Sequence, residues 1–386
     1  MTALTLPDDI VELVIDTVQS CGPLAALFPC SLISRQWLPR TRHHIFSIVA
    51  LILASKDDKD DNATAFIQLL DSPLSRTTLI PYVRSLSLEN RVFDTPALFT
   101  PRGLLAMLAQ AGIQPARMIL SGTISQVVPT VSEPSASFAA SVTELKFVLN
   151  DKVDLAPYIC AFRSLQSLSV HCTEPGLILP IALSHALPST LHSLRVDGFA
   201  PAILDWMRSA SPAPHLRTIL VCRGDSKEFW DHLNPFLGTV SGIESLTFIA
   251  CGTSPEFYSG TSIPTLRHLG LEYRMNPLAR QVTLFYHGDQ RFNDTTEIVP
   301  TIRAFRACVG LRTLCVSVSY LDDNAKGQLQ PWGNVDQTLL ETWPKLESVE
   351  VVDSQKRTIC VELATELRAN MPLCEGRGIL RVNKGV

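Results

Sequence analysis

Residues 165–170 read Leu165-Gln166-Ser167-Leu168-Ser169-Val170, and residues 191–196 repeat the pattern as Leu191-His192-Ser193-Leu194-Arg195-Val196. Three apolar residues hold the first, fourth and sixth places of the template L-x-x-L-x-L. The last two are separated by one residue, so on an extended backbone both side chains point to one side and the intervening residues to the other. Each copy is therefore a short strand with one buried face. The template appears nine times, the other copies being Val83-Leu86-Leu88, Val142-Leu145-Phe147, Leu216-Ile219-Val221, Ile243-Leu246-Phe248, Leu266-Leu269-Leu271, Leu311-Leu314-Val316 and Leu346-Val349-Val351. From Leu145 to Leu269 the central positions step by 23, 26, 25, 27 and 23 residues. The gap of 59 from Leu86 to Leu145 holds two repeats if residues 117–120 form a degenerate strand, and the later gaps of 45 and 35 imply insertions or altered repeats.

Between the strands lie segments with apolar spacing of three or four: Ile203 to Met207, Phe229 to Leu237, Ile302 to Val309, Leu339 to Trp343 and Val361 to Leu367. Several strands follow a breaker, as in Leu187-Pro188-Ser189, Ala213-Pro214-His215, Ile263-Pro264-Thr265 and Trp343-Pro344-Lys345. Strand, turn and helix alternate, which makes the fold class α/β. A strand-helix unit of ~25 residues cannot bury its apolar face alone, so neighbours stack into a solenoid with a parallel sheet on one face. Roughly ten strands at ~4.8 Å spacing give a sheet about 45 Å long, the size of a protein partner and not of a metabolite.

These residues resemble an irregular leucine-rich-repeat domain over residues 81–386. Members of that family place Asn or Cys just after the strand; Cys172, Cys222 and Cys251 fall near that place, and ordinary burial explains them equally well.

Composition narrows the function. Hydrophobic residues are 46% and charged residues 18% of the 386, well on the folded side of the line that separates globular from disordered chains. The formal charge of -4 gives no general attraction to nucleic acid or anionic membrane. The longest apolar stretch, Phe46 to Ala54, is far short of the ~20 residues needed to span a bilayer. Met1 to Asp9 lacks the basic start and apolar run of a secretory signal, so the expected location is cytoplasmic or nuclear. Ten scattered cysteines without C-x-x-C pairs are then expected as reduced, buried thiols, and the sequons at Asn62 and Asn293 carry no weight.

Residues 1–50 lack the repeat. Leu6-Pro7-Asp8-Asp9-Ile10 opens a helix with proline early and two acids in its first turn. Ile10, Leu13, Val14 and Val18 follow at helical spacing; after Gly22-Pro23 a second helix carries Leu24, Leu27, Phe28 and Leu32, and a third segment follows Pro39. The arrangement resembles an F-box, in which L-P-x-x-I opens the first helix and a V-S-x-x-W element packs against it; here the second element is Ile33-Ser34-Arg35-Gln36-Trp37. The continuation from Leu38 to Phe46, then Phe66-Ile67-Gln68-Leu69-Leu70 and Pro81-Tyr82-Val83-Arg84-Ser85-Leu86, resembles F-box proteins of mushroom-forming fungi. Two departures are a somewhat long first connection, Gln19 to Leu24, and Phe46 near the place of the usual closing tryptophan.

What the resemblance implies is a three-helix F-box over residues 1–50, an acidic linker and connecting helix over 51–80, and the repeats over 81–386. The F-box would dock on a Skp-type adaptor and so join a cullin-RING ubiquitin ligase, with Leu6, Pro7, Ile10, Leu32 and Trp37 forming or supporting the docking surface. The repeats would hold a protein substrate. The alternative is a repeat scaffold with a helical cap and no link to ubiquitin, in which Ile10, Leu13, Leu32 and Trp37 are core residues.

No catalytic signature is present: there is no G-x-S-x-G elbow, phosphate-binding G-x-x-x-x-G-K-[ST] loop, G-x-G-x-x-G turn or H-E-x-x-H helix. Asp58 to Asn62 fails as a calcium loop, with Ala63 where glycine belongs and Leu69 where the bidentate glutamate belongs. His43-His44 beside Arg40 and Arg42 lacks a spaced carboxylate or thiolate for metal binding. The expectation is a non-enzyme without cofactor or metal. Strand parity sends Glu144, Lys146, Ser167, Ser169, His171, Ser193, Arg195, Asp197, Thr218, Thr247, His268, Glu272, Ser348 and Glu350 outward. Of these, Glu144, Lys146, His171, Arg195, Asp197, His268, Glu272 and Glu350 are the candidate substrate contacts, a mixture of charges suited to a protein surface.

Overall fold

The computed structural model describes residues 6–53, 62–73, 78–91, 101–123, 135–174, 176–178, 186–197, 199–210, 215–222, 227–240, 242–249, 266–273, 299, 302–303, 305–318, 332–353 and 361–382. The chain forms two units, Met1–Gln166 and Ser167–Val386.

In the first unit, helices α1 (Asp8–Cys21), α2 (Leu27–Ile33) and α3 (Leu38–Phe46) lead into strand β1 (Ile48–Leu53). Helix α4 (Ala63–Asp71), strand β2 (Ser85–Asn90), helix α5 (Pro101–Gln110), strand β3 (Arg117–Gly122), helix α6 (Ser135–Ser141), strand β4 (Glu144–Leu149) and helix α7 (Ala156–Ala161) follow. Strands β1 to β4 pair in chain order, all parallel. The degenerate strand expected at 117–120 is β3. Its last residue, Gly122, has φ +87° and lies so close to β2 that a Cβ there would stand 2.0 Å from the Asn90 carbonyl oxygen. The close approach lets the Thr123 N–H donate to that carbonyl at 3.2 Å while the Asn90 side chain donates to the Thr123 carbonyl at 2.8 Å.

The second unit holds β5 (Ser167–Cys172), β6 (Ser193–Asp197), α8 (Pro201–Ser209), β7 (Thr218–Cys222), α9 (Lys227–Thr239), β8 (Ser245–Ile249), β9 (His268–Tyr273) and β10 (Thr313–Val318). It ends with α10 (Trp332–Thr342), β11 (Ser348–Asp353), α11 (Val361–Asn370), α12 (Pro372–Gly376) and β12 (Leu380–Val382). Its eight strands again pair parallel in chain order. Parallel neighbours joined through helices are what the alternating pattern requires.

The register keeps the template in line. Leu168, Leu194, Ile219, Leu246, Leu269, Leu314 and Val349 share one row, and Val170, Val196, Val221, Phe248, Leu271, Val316 and Val351 share the next. The first row is buried throughout. The leading apolar residue of the template closes a turn immediately before the strand: the N–H groups of Val83, Leu165, Leu191, Leu311 and Leu346 each bond to the carbonyl three residues earlier. Because β9 and β10 are direct neighbours, as are β10 and β11, the long late gaps are insertions between adjacent strands.

Three features depart from the sequence reading. The sheet begins at Ile48, within Phe46 to Ala54, where Phe46, Val49 and Leu51 fit the template but Ile48, Ala50 and Ile52 hide its period of two. Strand β12 has Arg377 where the template's first apolar residue should be. Residues 305–307 are turn, not helix: Arg306 and Cys308 N–H groups bond to the carbonyls of Arg303 and Phe305, so the apolar spacing of three at Ile302, Phe305 and Cys308 serves tight turns. Helix α4 lies in the range expected to hold a connecting helix, and residues 54–61, in the range of the acidic linker, lie outside the described residues.

One buried carboxylate is paired at the C-terminal end. The Asp336 carboxylate, on α10, accepts from the Leu373 and Cys374 N–H groups at 2.7 and 2.9 Å, so it caps the start of α12 from another helix. Burial, then this carboxylate, pushes the Cys374 thiol far up, which makes it inert. Burial also pushes Cys160 up to about 11. The eight described cysteines are thiols outside any disulfide; Cys172, Cys222, Cys308 and Cys374 are buried, Cys30, Cys160 and Cys315 half-buried and Cys21 exposed. Cys251 lies outside the described residues.

Candidate functional site

The N-terminal helices meet on a small core. Val11 and Ile15 of α1 and Leu27 of α2 are buried, with Val18, Trp37 and Ile45 packed against them. Two polar staples fix the geometry. Gln36 Nε2 donates to the Leu6 carbonyl at 2.7 Å and to Asp8 Oδ1 at 2.6 Å, tying the start of α1 to the turn before α3. Arg40 donates through Nε and Nη2 to both oxygens of Asp16 at 2.7 and 2.6 Å, and His44 Nε2 lies 2.7 Å from Asp16 Oδ1. Helix α3 carries the assembly on β1 and the turn Ile80–Tyr82, where His43 sets its ring edge-on to Tyr82.

The Arg40 and His44 hydrogen bonds hold the Asp16 carboxyl well below the usual carboxylate range and raise Arg40 in turn. Burial, helped by His44, Arg40 and Arg84, pushes His43 down. Because the folded state depresses Asp16, its contribution to stability is fully present above the ordinary Asp value of ~3.9 and fades as pH falls below it toward the folded value. Asp16→Asn is therefore expected to flatten the acid side of the melting-temperature profile below about pH 4 while lowering the neutral-pH value; parallel profiles would exclude this role.

The opposite side of this core is apolar and open. Of thirteen exposed large hydrophobic residues in the described chain, eight fall in residues 6–33: Leu6, Ile10, Leu13, Val14, Leu24, Phe28, Leu32 and Ile33. Leu32 is 86% exposed, Leu13 62% and Phe28 53%. They follow helical spacing, with Ile10, Leu13 and Val14 on one stripe of α1 and Leu24, Phe28 and Leu32 on a stripe running into and along α2. In α1, Val11 and Ile15 face the core, so this short helix has two apolar faces and only one is covered. Monomeric surfaces rarely keep such contiguous apolar stripes without a partner.

Leu6, Pro7, Ile10 and Leu32 are thus exposed, whereas Trp37 is half-buried against the helical core and supports the surface from beneath. Of the four residues that a helical cap would hold in a core, Trp37 packs against one, whereas Ile10, Leu13 and Leu32 are exposed. Leu13, Val14, Leu24, Phe28 and Ile33 belong to the same open surface, although the motif does not point to them. The sequence signal for them is excess: one helix cannot bury Ile10, Val11, Leu13, Val14, Ile15 and Val18 on one side.

On the sheet of the first unit, Glu144 pairs with Arg117 across β4 and β3 at 2.6 Å, and Lys146 is exposed beside them. On the second, Arg195 is exposed and Glu350 lies 3.9 Å from Arg381. Asp197 corrects the expectation from strand parity: it is 1% exposed. At the end of β6 its carboxylate receives His171 Nδ1 at 2.7 Å and the Phe199 N–H at 3.3 Å, so it anchors a turn and orients a histidine instead of facing a partner. His268 and Glu272 occupy β9 in register with Thr313 and Ser317, and their side chains lie outside the described residues.

Among the described residues no group of three His, Cys, Asp or Glu side chains could hold a metal ion, and no helix is long and apolar enough to cross a membrane.

No family model matches the chain, and no curated protein matches its sequence. Among solved structures, the chain is similar to one described as "Crystal structure of Rad7 and Elc1 complex in yeast", with 13% identity, 89% of this chain and 88% of that chain covered, and a TM-score of 0.34. A likeness of that size carries no argument about partners.

Proposed function

We propose that this chain is the substrate-receptor subunit of a Skp-cullin-F-box ubiquitin ligase, with α1 to α3 as the F-box and the repeats as the holder of a protein substrate. The observation that carries the reading is the open apolar stripe on α1 and α2. It lies where the Leu-Pro-x-x-Ile and Ser-x-x-Trp resemblance sets an adaptor-docking surface, and it leaves a second face of a small helical module uncovered. Large apolar and aromatic side chains in that setting are what a desolvated protein interface is made of.

The role is recruitment and not chemistry. Helix α3, seated on β1, links the docking helices to the sheet of the first unit, so adaptor and repeats are held by one chain. The outward polar residues of the repeats supply candidate contacts on each unit: Glu144 and Lys146 on the first, and Arg195 with the partly exposed His171 and Glu350 on the second. The compartment that fits this role is cytoplasm or nucleus.

Co-expression with a recombinant Skp-type adaptor tests the reading. The two chains should co-elute as a 1:1 complex in size-exclusion chromatography; separate elution of two folded proteins would overturn the ligase assignment.

A further inference from the structure

Strand β1 is an edge of the first unit's sheet, and its free side is not left bare. The Ser47 and Leu53 carbonyls accept from the N–H groups of Ser85 and Arg91, so the backbone groups of Val49 and Leu51 face β2 and those of Ile48, Ala50 and Ile52 face away from it. Asn62 meets this outer side. Its Oδ1 accepts from the Ile52 N–H at 2.8 Å and its Nδ2 donates to the Ala50 carbonyl at 2.9 Å. One side-chain amide thus makes the donor and acceptor pair that a neighbouring strand would make.

The position of Asn62 sharpens the point. It is the N-cap residue of α4, where an asparagine side chain ordinarily accepts from the first turn of its own helix, and no such bond is made. Its amide is turned to the strand and that cap is forgone. An aspartate could cap but could not donate to Ala50, so the site requires an amide.

We infer that Asn62 is an edge guard, closing β1 against strand pairing with a second copy of this chain. The occupant follows from the strand. Ile48-Val49-Ala50-Leu51-Ile52-Leu53 has no charge, proline or glycine, the composition that pairs most readily with its own kind. Ile48 is 66% exposed, and an apolar groove lined by Phe46, Ile48, Phe66 and Leu69 runs beside the edge. The Ile48 carbonyl and Ala50 N–H have no hydrogen-bond partner among the described residues, while Asn62 takes the Ala50 carbonyl and the Ile52 N–H. Two such edges brought together about a two-fold axis would pair isologously. This inference does not rest on the proposed ligase role.

The test is light scattering across a concentration series. Asn62→Ala should show a mass that rises with concentration where the unaltered chain does not, and adding Ile48→Lys, a charge on the exposed edge, should restore the flat profile. A flat profile for folded Asn62→Ala overturns the inference. Should that variant fail to fold, amide exchange of the unaltered chain decides: Ile52 is expected to exchange slowly and Ala50 fast, and equal rates overturn it.

Discussion

Phe28→Ala combined with Leu32→Ala is expected to weaken adaptor binding at least about 100-fold, with little change in melting temperature. The two halves of that expectation have separate causes. Both side chains are more than half exposed, so truncating them removes little from the folded core; surface changes away from caps and networks usually stay within about 0.5 kcal/mol. In a complex the same side chains would be desolvated at the centre of the apolar stripe, where anchors are worth about 2 kcal/mol or more each. Two such losses multiply to more than a hundredfold. Isothermal titration against the adaptor, paired with thermal melts, reads both. Unchanged affinity would remove α2 from the interface, and a collapsed melting temperature would return these residues to a core role.

Trp230→Ala should have the opposite profile, costing about 3–5 kcal/mol of stability in the second unit while leaving adaptor affinity intact. Trp230 is buried on α9, edge-on to Phe229 at 6.3 Å and tilted against Phe248 of β8 at 5.4 Å, and Phe248 in turn meets Phe305 at 5.8 Å. The indole therefore packs a helix on a strand, and Phe248 extends the aromatic cluster to the turn before β10. In a repeat array each unit is stable mainly through its neighbours, so a cavity at this junction weakens both sides of it. A denaturant series should show a lower midpoint for the second unit. A loss under about 1 kcal/mol would mean that the site collapses around the gap.

The solenoid is legible in the sequence because one face of each strand is apolar and the other is not. Leu168, Leu194 and Ile219 announce themselves by alternating with Ser169, Arg195 and Thr218, and the register then follows from placing like positions side by side. Where alternation fails, so does the reading. Strand β1 is apolar at every position, which masks a template that Phe46, Val49 and Leu51 in fact satisfy, and β12 lacks its leading residue. Asp197 shows a second limit: parity gives the direction of a side chain but not what folds over it, and the turn through Phe199 closes over this carboxylate. At the N-terminus the motif points to Leu6, Pro7 and Leu32 but does not single out Phe28 and Leu13, because helical spacing does not say which of two apolar stripes is covered. Asn62 reads as part of a solvated linker, since nothing in a sequence links an asparagine to a strand edge ten residues earlier.

Hydrogen exchange of the full chain with and without purified Skp-type adaptor tests the docking surface most directly. Adaptor-dependent protection is expected in residues 8–33, across α1 and α2, with the strands of the second unit unchanged. Saturating adaptor that leaves α1 and α2 exchanging as they do in the free chain would contradict the account.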